Sequence, residues 1–370
     1  MNTQSVSKRQ RQLGMTLVEL MVAMVLSVFL IGGIIQIFMG NRITFAFNEG
    51  LSRIQENARF SLEHMAFSAR MAGYSGCLSD VAVTNNLAAP STFRDDIANG
   101  IQGHSANGTG VGDSYAAAAT DPWPSANVSD WTPALPPELN GRVIPGSDVL
   151  VIRGIGGAPH PLVTPFSDSA QLFVAGPHDF VNGEILVVTD CQKASIFQLT
   201  NSTDVGLGVN LVHSNSGAFA PGNASPTWGP EQSYGLGAEV ARLQTFAFYV
   251  GQGANGRPSL FQLRLQSLSG TAAGFAPEEL VEGIDSLQIR YGADADNDGD
   301  ADSWAPADAV ADWTTVLSVE VTLLARSGDE YGAETDTVVY NLAGTQFDPV
   351  DDRRHRQVFS TTVGIRNRLP

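Results

Sequence analysis

Positive charge is scarce in this chain: 21 Lys and Arg stand against 38 Asp and Glu, for a formal charge of −17. That balance argues against nucleic-acid backbones as a partner. Cysteine is nearly absent, with Cys77 and Cys191 alone. Neither belongs to a C-x-x-C pair or a Cys/His cluster, so the usual zinc arrangements are excluded. The six histidines include no H-E-x-x-H pair, and no G-x-S-x-G serine accompanies them. No P-loop or G-x-G-x-x-G opens a helix; Gly154-Ile-Gly156-Gly157 and Gly206-Leu-Gly208 read as turns. His178-Asp179 matches half of a hydrolase triad in residue type, but such a pair alone reads as a loop contact. The chain is read as a structural protein, not an enzyme. Arg353-Arg354-His355-Arg356 reads either as a contact for DNA or an acidic partner or, more simply, as a solvated turn balancing an acidic body.

Acidic residues are missing altogether from the first 14 positions, which hold Lys8, Arg9 and Arg11. From Met15 to Met39 the chain is apolar except for one charge, Glu19. The run is long enough to span a bilayer as a helix. Basic residues before it and none just after place the N-terminus in the cytoplasm. A secretory signal has a shorter apolar region and a small-residue cleavage site. A lipoprotein needs a cysteine just after the run, and the first is Cys77. A plain anchor leaves Glu19 unexplained, since a charge within hydrocarbon costs about 2.5–3.5 kcal/mol.

Two compatible readings account for Glu19. Thr16-Leu17-Val18-Glu19 fits a helix capping box, and a first-turn carboxylate suits the helix dipole. Alternatively, cleavage after Gly14 gives Met15 a new α-amino group at the same depth. Glu19 then pairs with the amino terminus of a neighbouring subunit, neutralising both charges and setting the axial step of a helical assembly.

The segment Gly14-Met15-Thr16-Leu17-Val18-Glu19, followed by its apolar run, resembles the class III signal of type IV prepilins and type II secretion pseudopilins. The resemblance implies a prepilin peptidase that cuts between Gly14 and Met15 and methylates the Met15 amine. Many members carry Phe where Met15 stands.

Beyond Gly40-Asn41-Arg42 an apolar stripe follows helical spacing through Phe47, Leu51, Ile54, Ala58, Leu62, Met65, Ala69 and Ala72. Arg53, Glu56, Arg59 and Glu63 take the polar side, and Gly73 supplies a stop. The run Gln55-Glu-Asn-Ala-Arg59, then Arg70-Met-Ala-Gly-Tyr-Ser-Gly-Cys77, resembles the PilW family of minor pilins. So do Glu282-Gly-Ile-Asp…Arg290-Tyr-Gly292 and the terminal Ser360-Thr-Thr-Val-Gly-Ile-Arg366-Asn367.

The chain is rich in turn formers, with 38 Gly and 19 Pro, which predicts a loop-rich β body. Residues 74–146 show little periodicity and read as a loop-rich insertion. From residue 147 onward, short apolar runs bounded by turn residues predict strands near 149–153, 171–174, 184–189 and 195–200. Longer alternating runs follow at 238–250, 259–266, 287–291, 316–326 and 358–366. No helical pattern separates them, so antiparallel sheets are expected. The fold class expected is α+β and pilin-like. It comprises a leader at 1–14, a membrane or filament-core helix at 15–40, its amphipathic half at 41–73, the insertion at 74–146 and a β-rich head at 147–370.

Asp294-Ala-Asp296-Asn-Asp298-Gly299-Asp300-Ala-Asp302 matches D-x-D-x-D-G, the front of a calcium loop. The bidentate Glu of an EF-hand is missing, since Ala305 occupies its place. The readings are a structural calcium site or a solvated acidic turn. Cys77 and Cys191 read either as a disulfide, expected for an exported chain, or as buried thiols.

The resemblance implies a minor pilin of the inner membrane with a periplasmic head, later extracellular in the pilus. Its partners would be prepilin peptidase, the major pilin, other minor pilins and a tip adhesin. It would help prime or assemble a type IV pilus serving adhesion, twitching motility or DNA uptake. The alternatives are a type II secretion pseudopilin and a membrane-tethered, calcium-dependent binding protein.

Overall fold

The computed structural model describes residues 14–76, 81–117, 123–206, 208–217, 219–267, 272–331 and 334–368. They fall in two units, Met1–Leu51 and Ser52–Pro370. Residues of the helix Leu17–Arg70 contribute to both.

In the first unit the helix is apolar on every side from Leu20 to Met39, and its large side chains there are exposed. It is long and apolar enough to cross a membrane. A helix apolar all round is suited to lipid or to other helices rather than to water. Its first turn is closed by side chains. Thr16 donates its backbone N–H to Glu19 Oε2 at 2.9 Å, and the Glu19 N–H donates to Thr16 Oγ1 at 3.3 Å. That reciprocal pair is the capping box, which satisfies backbone donors with no partner inside the helix.

In the second unit the helix is amphipathic. Ile54, Ala58, Met65, Ala69 and Ala72 of the expected stripe are buried, whereas Phe47, in the first unit, is exposed. The three alanines let the helix lie close to the sheets. It covers a core that includes Leu150, Ile152, Phe248, Leu287, Val321 and Leu323. The helix stops at Gly73, whose φ of 71° suits glycine. Gly100 packs against this stop: a Cβ there would overlap the Gly73 backbone.

Among the described residues the head has four sheets, of which two are the largest. The larger runs Ala82–Asn85, Lys193–Gln198, Ile185–Thr189, Glu239–Gln252, Val149–Pro161, Ile101–Ala106, Trp131–Thr132. The strand Glu239–Gln252 is shared: its far half also pairs with Pro258–Gln266, which pairs with Gly274–Glu282. The second sheet is antiparallel, in the order Ser303–Ala305, Ile284–Ala293, Val316–Arg326, Arg356–Gly364. Strand positions agree with the periodicity, and most pairs are antiparallel. Two are parallel: Ala82–Asn85 with Lys193–Gln198, and Ser114–Ala116 with Thr345–Asp348.

The stretch read as a loop-rich insertion carries part of the core. Ile101–Ala106 pairs with Val149–Pro161, and Trp131, Leu135, Leu139 and Val143 are buried. The buried Asp148 joins the two sheets. Its carboxylate accepts the Ala106 N–H at 2.8 Å and the Ile289 N–H at 2.9 Å. Burial pushes the Asp148 carboxyl up to about 7. A satellite core gathers Leu172, Val174, Phe197, Leu211, Trp228 and Tyr234.

Candidate functional site

The first candidate is the head of the helix. Gly14 and Met15 are exposed and precede the helical residues. A peptidase reaches an extended, unpaired backbone more readily than a helical one. Residues 1–13 of the leader lie outside the described residues. Glu19 is exposed at the surface of an apolar segment, and among the described residues its side chain bonds only within the capping box. Glu19 Oε2 serves the cap, and the side chain remains exposed.

The acidic loop is the second candidate. It joins the paired strands Ile284–Ala293 and Ser303–Ala305. Asp294, Asp296 and Asp302 bring one carboxylate oxygen each to within 4.8 Å of one another. Asp298 and Asp300 do not join that group. Asp294 is buried, and its oxygens accept the Asp298 N–H at 3.2 Å and the Gly299 N–H at 2.9 Å. Asp302 accepts the Ala295 N–H at 2.7 Å. Asn297 and Gly299, with φ of 59° and 93°, make the sharp turn that folds the alternate aspartates together. Repulsion from Asp298 and Asp302 holds the Asp296 carboxyl above the usual carboxylate range. The loop thus holds a concentration of negative charge that a cation relieves.

Of the two cysteines, Cys77 lies outside the described residues. Cys191 follows Asp190 in a tight turn with a φ of 69°. Gly76 adjoins this turn: a Cβ there would come within 2.8 Å of Thr189 Cγ2.

The last residues have a role that spacing did not reveal. The Arg366 N–H donates to the Arg70 carbonyl at 3.1 Å, and Asn367 Nδ2 donates to the Ala72 carbonyl at 3.3 Å. The terminal run therefore satisfies carbonyls that the helix leaves unpaired. Two motifs at opposite ends of the sequence meet at this point.

Other sequence features have structural partners. His178 Nδ1 accepts the Phe180 N–H at 3.0 Å, while Asp179 pairs with Arg242 at 3.0 Å, so the two do not form a relay. Arg353 and Arg354 pair with Glu330. Arg356 is buried among Asp285, Asp336 and Asp352, so the basic cluster is an ion-pair network rather than a solvated turn. Gly154-Ile-Gly156-Gly157 lies within the strand Val149–Pro161 and is not a turn.

Compared with known protein families, residues 247–367 match Type IV Pilus-assembly protein W. Residues 9–35 match the prokaryotic N-terminal methylation motif. The carboxy-terminal third of the chain thus carries a PilW domain. The matched PilW region holds the second sheet, the acidic loop and the carboxy-terminal cap of the helix. The methylation motif covers Gly14, Met15, Glu19 and most of the apolar run, which supports membrane anchoring. A type IV-like pilin from Thermus thermophilus aligns with 51% of this chain and 87% of its own length. The two share 14% identity at a TM-score of 0.23. A search of curated proteins finds no match.

Proposed function

We propose that this chain is a minor pilin that helps prime or assemble a type IV pilus. The apolar helix inserts in the inner membrane with the head in the periplasm. Prepilin peptidase cuts after Gly14 and methylates Met15. Glu19 then pairs with the amino terminus of a neighbouring subunit, and the helices bundle while the head stays outward. The part played by the head is structural rather than catalytic. The observation that carries the reading is the methylation motif set on an exposed apolar helix headed by Thr16 and Glu19. The deciding measurement is the intact mass and amino-terminal sequence of the chain extracted from membranes of its native host. A chain beginning at a methylated Met15 is expected. A chain that keeps residues 1–14 beside an active prepilin peptidase overturns the reading in favour of a tethered binding protein.

Two features of the head belong to the same proposal. Asp294, Asp296 and Asp302 hold a structural calcium ion, for which clustered carboxylate oxygens are the fitting donors. Cys77 and Cys191 form a disulfide. Gly76 against Thr189 supports this pairing, because it sets the chain entering Cys77 beside the turn that holds Cys191.

A further inference from the structure

The second sheet ends on the strand Arg356–Gly364, which among the described residues pairs only with Val316–Arg326. The Ile365 N–H donates to the Leu317 carbonyl and the Ser327 N–H to the His355 carbonyl, both at 2.8 Å. These two bonds flank the ladder and fix its phase. In an antiparallel pair, successive residues turn their backbone groups alternately toward the partner strand and away from it. Phe359, Thr361 and Val363 therefore turn theirs toward Val316–Arg326. Val358, Ser360, Thr362 and Gly364 turn theirs outward. Among the described residues none of these four has a partner for its N–H or its carbonyl. Arg366, next in the row, gives its N–H to the Arg70 carbonyl at 3.1 Å, so the end of the helix closes the row on that side.

The edge is preformed and faces solvent. Phe359, Val363 and Ile365 pack into the core beneath the helix. Ser360 and Thr362 are exposed. The ladder runs from Ser318 with Gly364 to Arg326 with Arg356 without a bulge.

An edge of this kind recruits other strands, and proteins ordinarily guard it with charge, proline, a bulge or brevity. Two other edges here are guarded in that way. Gly274–Glu282, at an edge of the larger sheet, carries Pro277, Glu278, Glu279 and Glu282 and a break in register. Ser303–Ala305, at the opposite edge of the second sheet, has three residues. From Gln357 to Ile365 there is neither charge nor proline.

Unpaired backbone groups at strand spacing fit one kind of partner, another extended backbone. The outward row from Val358 to Gly364 spans about 20 Å, room for a partner of about seven residues. Charge narrows the choice. Arg366 is exposed at the end of the row and makes no ion pair among the described residues, so a carboxylate suits the adjoining end of the partner. A second copy of this chain does not supply one. Two such edges paired antiparallel set Arg366 of each copy at the end where the other carries Arg354 and Arg356, and like charges placed opposite one another disfavour pairing.

We propose that the edge Arg356–Gly364 binds an extended, uncharged segment of a different protein chain as an added antiparallel strand, with an acidic residue of that segment against Arg366. Main-chain hydrogen bonds supply the affinity, and the flanking charge sets the register. Strand addition here is separate from the packing of apolar helices.

The test uses the full-length chain in detergent and an acetylated peptide of about seven residues, alternating threonine and valine, with aspartate at its amino-terminal end. Antiparallel pairing brings that end to Arg366. Anisotropy of a fluorophore at the other end measures binding, and hydrogen exchange read by mass spectrometry locates it. Protection confined to the strand Arg356–Gly364 is expected, and lysine in place of the aspartate should weaken binding about threefold. Thr362→Pro removes one outward N–H at a position where an edge strand tolerates proline, so it should keep the melting temperature and weaken binding about tenfold. Should it melt early, Thr362→Lys replaces it, because an exposed edge lysine blocks strand addition without touching the ladder. Arg366→Glu should reverse the preference between the two peptides. No protection of this strand, protection elsewhere, binding indifferent to the Thr362 variants, or a preference unmoved by Arg366→Glu overturns the proposal. Protection that appears without peptide as the chain is concentrated assigns the edge to a second copy and overturns it as well.

Discussion

Arg356 donates to an Asp285 carboxylate oxygen at 2.8 Å while its own side chain has no exposure to solvent. The pair ties the start of the last strand to a residue of the strand Ile284–Ala293. Asp336 and Asp352 meet the same guanidinium at 3.2 and 2.8 Å. Removing one partner of a buried pair leaves the others uncompensated, which costs about 3–5 kcal/mol. Arg356→Met is expected to lower stability by that amount in urea unfolding of the full chain. Arg353→Met, at a side chain 55% exposed, is expected to cost under about 1 kcal/mol. Equal losses would show that burial is not what sets the strength of the network.

Glu19 serves a cap within the chain and, in the proposed filament, a charge between chains. Glu19→Ala removes both, and Glu19→Gln keeps an acceptor for the Thr16 N–H while losing the charge. Both variants are expected to be processed at Gly14 and to fail in assembly, scored by sheared surface pili in a strain lacking the wild-type copy. Normal piliation with Glu19→Ala would remove the pairing mechanism. Normal piliation with Glu19→Gln alone would leave the cap as the whole of its role.

Calcium is expected to bind the Asp294–Asp302 loop with a dissociation constant of about 10⁻⁴–10⁻³ M, the range of extracellular modules. Calorimetric titration of the chelator-treated chain should show saturable heat, and calcium should raise its melting temperature. Asp294→Asn should abolish both effects. A flat titration would make the loop a solvated turn.

His213 is shielded from solvent and stacked on Trp228 at 4.3 Å, with Phe166 and Phe197 at 5.9 and 5.6 Å. Burial depresses its pKa to about 4. An unfolded histidine takes up its proton near 6.5. Between those values the unfolded chain binds the extra proton, so this group's contribution is full above pH 6.5 and drains as pH falls toward 4. The loss from pH 7.5 to 5 is on the order of 1–2 kcal/mol. His213→Phe should flatten that part of the stability–pH curve, and an unchanged curve would assign the acid sensitivity to other groups.

If Cys77 and Cys191 are joined, the loop between them exceeds one hundred residues, and chain entropy gives a stabilisation of up to about 4–5 kcal/mol. Cys77→Ser is expected to lower the unfolding midpoint, as should reduction of the wild-type chain. Alkylation of both thiols in the non-reduced, denatured chain would show that no bond was present.

Much of the fold was legible because it is periodic. The stripe Ile54, Ala58, Met65, Ala69 recurs at helical spacing, and each member is buried. The alternation in 316–326 gives the strand Val316–Arg326. The loop-rich stretch before residue 147 was less legible. Trp131 and Leu139 lie among short 3₁₀ turns and reach the core without any repeat to announce it.

The sequence by itself determined the methylation motif around Gly14, the apolar helix, the Thr16–Glu19 cap and the presence of an aspartate cluster, because each depends on neighbours within a few positions along the chain. The tertiary structure alone decided which aspartates converge, that Arg356 is buried, that Arg366 and Asn367 close the end of the helix, and that the strand Arg356–Gly364 stands at a sheet edge. These depend on residues far apart in sequence, and packing, not local propensity, brings them together.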